Sequence, residues 1–195
     1  MFYIKSEVAL TTVFIFALSM HVRAGGSGAE ISGHVTLTED KAKHGACKAG
    51  GQRRRIQFSV HAPKDDRPAT GFFSEKVECR ADGFVSNHFE ANVLATCVAQ
   101  KTATFLIQYK SDTAFDRDGS SSSGAVTGRL DLIQVIDNGE PGHLDRIARE
   151  VGTTVTAEAV NACDFDGSYL DDLPKPVDAT EPGIIADGNV AVSER

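Results

Sequence analysis

Between Ile31 and Val192 the chain never sustains an amphipathic helical period over about 12 residues, and breaks instead into short alternating runs separated by turn residues. Ile56, Phe58 and Val60 alternate with Gln57, Ser59 and His61, the period of a half-buried strand. Val35 and Leu37 alternate with His34, Thr36 and Thr38 in the same way. Residues 62–70 carry Pro63, Asp65, Asp66 and Pro68 and read as a hairpin loop, with residues 71–79 returning as a strand. Asp82-Gly83 turns the chain into an extended stretch over 84–95. Residues 102–109 are β-branched and aromatic on both faces, the mark of a central strand. Residues 125–136 read as a long strand, with Val126, Leu130 and Leu132 on one face and Ile133 and Val135 on the other. Over 143–150, the helical spacing of Leu144, Ile147 and Val151 competes with strand-forming neighbours. The reading taken is a strand that continues through Thr153, Val155 and Ala157. Residues 164–182 read as loop and 184–192 as a closing strand. Many short strands with regular turns predict an all-β chain, a single antiparallel β-sandwich or barrel-like domain.

The N-terminus has a different texture. Lys5 precedes an uncharged run over 8–19, and Val22-Arg23-Ala24 places small residues ahead of Gly25. That order is the one a secretory signal peptide requires, and the run is shorter than the roughly 18 apolar residues of a membrane anchor. The expected organisation is a cleavable signal over 1–24, a flexible leader over 25–30 and one β-domain over 31–193, with a polar loop at 111–124. No transmembrane segment is expected in the mature chain. Cleavage removes Lys5, Arg23 and Glu7 from 20 basic and 27 acidic side chains, leaving 18 against 26, a formal charge of −8. An acidic surface argues against nucleic acid and anionic membrane as partners. Other envelope or extracellular proteins remain as the partners to expect. Arg53-Arg54-Arg55, the only basic cluster, reads as a solvated strand end.

Cys47, Cys79, Cys97 and Cys163 all follow the cleavage point. An even count in an exported chain predicts disulfides, and spacing does not choose among the three pairings. No two lie two to four residues apart, as structural zinc sites require.

Three segments carry a family resemblance. Residues 89–97 (FEANVLATC), followed by Thr102-Ala103-Thr104-Phe105, are similar to a paired-strand motif in a group of small bacterial exported proteins. Residues 135–142 (VIDNGEPG), with Asp145-Arg146-Ile147 behind them, resemble that group's most recognisable segment. Gly188-Asn189-Val190-Ala191-Val192 is similar to its closing strand. The resemblance implies a compact antiparallel β-domain in a secreted or cell-envelope protein, and brings with it no known enzymatic activity.

Catalytic chemistry finds little support in the residues. Gly119 and Gly124 enclose four serines, one too many for a nucleophile elbow, and no helix follows. His34, His44, His61, His88 and His143 are scattered, with no short His pair. Glu75, Glu78 and Glu90 fit either a cross-strand carboxylate pair or an exposed strand face. Asp112, Asp116 and Asp118 precede Gly119, and Asp164 and Asp166 precede Gly167; as calcium loops both lack oxygen ligands at the first and last positions. Solvated turn acids are the default reading and weak calcium binding the alternative; no other cofactor is expected. Asp137-Asn138-Gly139-Glu140-Pro141-Gly142 reads as a structural turn, with Asp137 bonding backbone amides. The functional expectation is therefore an exported, non-enzymatic module that binds or supports. A small secreted hydrolase and a calcium-stabilised adhesion-type module are the alternatives.

Overall fold

The computed structural model describes residues 28–39, 47, 51–62, 67–139, 145–173 and 187–194. Ten strands form one antiparallel sheet: β1 (Ala29–Glu39), β2 (Gln52–Ala62), β3 (Thr70–Cys79), β4 (Val85–Ala99), β5 (Thr102–Phe115), β6 (Ser121–Ser123), β7 (Leu130–Ile136), β8 (Arg146–Val151), β9 (Asp171–Leu173) and β10 (Asp187–Glu194). One short helix, α1 (Ala157–Asn161), lies between β8 and β9. The strand order is β10-β1-β2-β3-β4-β5-β7-β8-β9, with β6 paired to the far end of β5. The sheet curls into an open half-barrel rather than folding into two packed layers, so the barrel-like alternative is the one realised. Among the described residues no helix is long and apolar enough to cross a membrane.

Alternation decides which face each side chain takes. Val35, Ile56, Phe58, Val60, Phe73, Ala91, Phe105, Ile107, Ile133, Ile147 and Val190 all point into the curl and form the main core. Burial of each large side chain is worth about 2–3 kcal/mol. Gly33 lies opposite Phe58, and a β-carbon there would run into the Phe58 ring; the bare backbone lets that ring reach Phe105 at 5.4 Å. β5 is buried on both faces from Ala103 to Ile107, as its composition predicts: Leu106 points outward with Ala95 and Leu132, and Val160 of α1 covers them.

The curl is fastened by side chains. The two carboxylate oxygens of Asp145 accept the backbone N–H groups of Val190 (2.9 Å) and Asn138 (3.0 Å). Asp137 accepts Val192 N–H at 3.1 Å through one oxygen and Gly139 N–H at 2.7 Å through the other. Val190 and Val192 are thus satisfied along the edge of β10 that faces away from β1, an edge that would otherwise offer unpaired donors. Gly188, the second residue of β10, has φ +123°, and a β-carbon there would meet the His34 carbonyl.

Several boundaries differ from expectation. β1 starts at Ala29, inside the stretch read as leader, because Ala29 is itself a core residue. The polar loop at 111–124 is largely a hairpin: 111–115 end β5, and Ser121–Ser123 form β6 across a turn. The strand read over 125–136 begins only at Leu130, because Asp112 captures the amides of Ala125 and Val126 and bends the chain there. The strand reading over 143–150 holds from Arg146, but it does not continue through Ala157. Gly152 turns the chain, and the Thr156 hydroxyl accepts Ala159 N–H to start α1. Glu140, Pro141 and Gly142 of the turn lie outside the described residues.

Candidate functional site

Two hairpins project from one end of the sheet and leave a groove between them. The β3–β4 connection is tight: Cys79 N–H donates to the Phe84 carbonyl and Gly83 N–H to the Cys79 carbonyl, both at 2.8 Å. Asp82 accepts Phe84 N–H at 3.2 Å, an Asx turn that fixes the Phe84 backbone. The second hairpin exists because β5 runs on past β7 and takes β6 as a new partner; its tip closes with Asp116 N–H donating to Ser120 O at 2.9 Å. Arg117, on that tip, reaches across to the first hairpin. Its guanidinium is 2.6 Å from Asp82 and 4.9 Å from the Phe84 ring centroid. The Arg117 hydrogen bond holds the Asp82 carboxyl below its usual range.

Beneath this bridge lies a groove of about 420 Å³, with Phe84, Val85 and Phe115 as apolar walls and Lys76 and His88 as its polar floor. Lys76 and His88 are direct partners across β3 and β4, and Arg55 continues the same row on β2. Glu78 pairs with Arg55 at 3.1 Å, and Asp116 stands on the groove's rim. His88 Nε2 lies 3.4 Å from Ser74 Oγ and 4.0 Å from Glu90 Oε1. Glu90 is itself drawn to Lys110 at 3.3 Å, which holds its carboxyl low. A serine-histidine-acid relay needs the acid on the ring nitrogen opposite the serine. Here both face the same nitrogen, so the three residues do not orient a general base.

Inside the curl a second polar cluster was hidden in the alternation. Phe73, Glu75, Val77 and Cys79 share the inward face of β3, and Glu75 is 1% exposed. Its carboxylate meets Arg54 of β2 and Arg149 of β8, each at 2.9 Å. Burial pushes the Glu75 pKa up, but the two guanidiniums outweigh it and hold the carboxyl below its ordinary value. Arg149 also approaches the Tyr109 hydroxyl at 3.5 Å, and that hydroxyl donates to Asp131 at 3.0 Å. Burial raises the Tyr109 pKa, so the phenol stays protonated and can donate. Asp131 is held further by Arg129 through two bonds (2.9 and 3.0 Å) and by Gly152 N–H at 2.9 Å. Arg129 lies over the Tyr109 ring at 4.9 Å. This chain of charges ties β2 and β3 to β7 and β8 across the barrel. Its carboxylates are all committed to protein partners.

The residues singled out from sequence fall in separate places. Asp112 is buried, and its oxygens accept Ala125 and Val126 N–H and the Thr127 hydroxyl. Asp116 and Asp118 stand exposed on the hairpin tip, where both bond Ser120; Asp164 and Asp166 are exposed after α1, and Asp166 accepts Ser168 N–H at 2.9 Å. Among the described residues no three His, Cys, Asp or Glu side chains are grouped to hold a metal ion. Ser121–Ser123 form an exposed edge, and the bonds of Ser120 run to Asp116 and Asp118 rather than to a histidine. Arg54 corrects the reading of the basic run as solvated: it shares the inward face of Ile56 and Phe58 and is spent on Glu75. The cysteines pair as Cys47–Cys79 and Cys97–Cys163, a state that an oxidising compartment sustains. The Phe84–Phe115 groove had no sequence signal, because it is made by two hairpins meeting in space.

No family model, curated protein or solved structure matches this chain.

Proposed function

We propose that the chain is an exported, non-enzymatic β-domain of the cell envelope or extracellular space, and that it binds a small aromatic anion in the groove between its two hairpins. The observation that carries the binding reading is the groove itself, lined by Phe84 and Phe115 together with the cross-strand pair Lys76 and His88. Aromatic walls favour a flat apolar body, and the Lys76 ammonium beside the His88 ring favours a negative head. The export reading is supported by the signal-like first 24 residues and by two closed disulfides.

Anilinonaphthalene sulfonate, an aromatic monoanion, is a direct probe. Native protein lacking residues 1–24 is expected to bind it in the groove, and Lys76→Glu or Phe115→Ser to weaken binding about tenfold, the equivalent of one lost contact of about 1.4 kcal/mol. Circular dichroism checks that the variants stay folded. Equal binding by the wild type and both variants would remove the groove from the reading. Export has its own measurement. Expressed in full in a bacterial host, the protein should appear outside the cytoplasm beginning at Gly25 and with no free thiol; cytoplasmic retention with four thiols would sink it.

A further inference from the structure

The two disulfides sit in opposite settings. Cys47 and Cys79 are each 1% exposed, whereas Cys97 and Cys163 are both part-exposed. Cys163 N–H donates to Val160 O at 3.0 Å and Asp164 N–H to Ala159 O at 2.8 Å, which is a Schellman ending for α1. The residue in its left-handed position, ordinarily glycine, is Cys163 at φ +53°. A β-carbon is disfavoured there, so the bond to Cys97 holds α1 in a conformation that its own sequence does not favour.

The other ties of the segment all lie on the outer face of the sheet, where Val155, Ala157 and Phe165 pack around Val160. α1 is five residues long, too short to persist by itself. Thr96 N–H donates to Asn161 Oδ1 at 3.1 Å, Thr153 N–H donates to Leu130 O at 3.0 Å, and Val160 plugs the outward strip of Ala95, Leu106 and Leu132. The main core lies on the other face of the sheet and does not depend on α1.

We propose that Cys97–Cys163 is a redox latch: an external dithiol opens it selectively, α1 and its flanks leave the outer face, and the apolar strip is uncovered while the half-barrel stays folded. In the step, a thiolate of the dithiol attacks one sulfur of this part-exposed bond and forms a mixed disulfide. The second thiol then displaces the protein thiolate. The dithiol ends oxidised to a disulfide, and its two electrons and two protons reside on Cys97 and Cys163 as thiols. Cys47–Cys79 stays closed because attack requires access to sulfur.

The oxidised protein is titrated with dithiothreitol, trapped with N-ethylmaleimide and mapped by peptide mass, with hydrogen exchange followed in parallel. Cys97 and Cys163 should be labelled at least about tenfold lower in reductant than Cys47 and Cys79. Exchange should rise over 153–165 and at Thr96, while β1–β3 stay protected. Simultaneous opening of both bonds, earlier opening of Cys47–Cys79, or an unchanged 153–165 segment after reduction would each overturn the proposal. The double variant Cys97→Ser/Cys163→Ser should fold with Cys47–Cys79 intact and show the released exchange pattern. Failure of that variant to fold also overturns it, since a latch opens without loss of the fold.

Discussion

Replacing Glu75 with alanine is expected to destabilise the protein by about 3 kcal/mol or more. The reason is what the substitution leaves behind. Arg54 and Arg149 both turn inward to reach Glu75, and with the carboxylate gone two guanidiniums face each other beside the core. The cost is that of stranded charge, not of a lost attraction, and the two are separable. Glu75→Leu combined with Arg149→Met removes both partners of one bridge and should recover much of the loss, as buried ion pairs replaced by apolar residues often do. Urea unfolding of the wild type, Glu75→Leu, Arg149→Met and the double variant closes the cycle; a double variant no better than Glu75→Leu would sink the account.

The same residue sets a pH dependence. Its folded pKa is depressed below the ordinary 4.5, so its contribution is fully present above that value. The contribution is lost as pH falls through the depressed folded value. Glu75→Gln cannot titrate, so its stability should fall less steeply below pH 4.5 than that of the wild type. Parallel acid-unfolding curves would contradict this assignment.

Asp145→Ala should cost about 3 kcal/mol by a different route. Asp145 is 1% exposed and accepts two backbone amides, those of Asn138 and Val190. A buried amide left without a partner costs about 1–3 kcal/mol. Asn in its place keeps one acceptor oxygen and should lose roughly half as much. Hydrogen exchange supplies a readout that general destabilisation does not. The amides of Val190 and Val192 should lose protection before those of β2 and β3, because the seam opens first. Unchanged protection at Val190 in Asp145→Ala would show that β10 is held by β1 alone.

Much of the fold was legible because alternation speaks directly about faces. Ile56, Phe58 and Val60 read as one buried row and are one. The two-faced composition of 102–109 reads as a central strand, and β5 is buried on both sides. Charged residues were harder. Glu75 and Arg54 carry the same inward parity as Phe73 and Ile56, which is a usable signal. That signal competes with the strong prior that Arg and Glu are solvated, and only the meeting of β2, β3 and β8 shows that each satisfies the other. Helix α1 was missed because Val155, Ala157 and Thr153 suit a strand, while the Thr156 cap and the Cys163 crosslink act over a span too short for any periodicity. The groove and the seam are relations between distant segments, and local pattern carries no information about them.

The place of β1 has a consequence for the order of events in making the protein. The first strand is paired on one side by its neighbour β2 and on the other by the last strand, β10, from Ala29↔Glu194 to Thr36↔Asp187. A chain that emerges from its N-terminus therefore carries one open margin on β1 until residues 187–194 have been made. Asp137 and Asp145 wait for the same eight residues, since the amides they hold belong to Val192 and Val190. The sheet therefore cannot cover both margins of its first strand until β10 is available to pair with it.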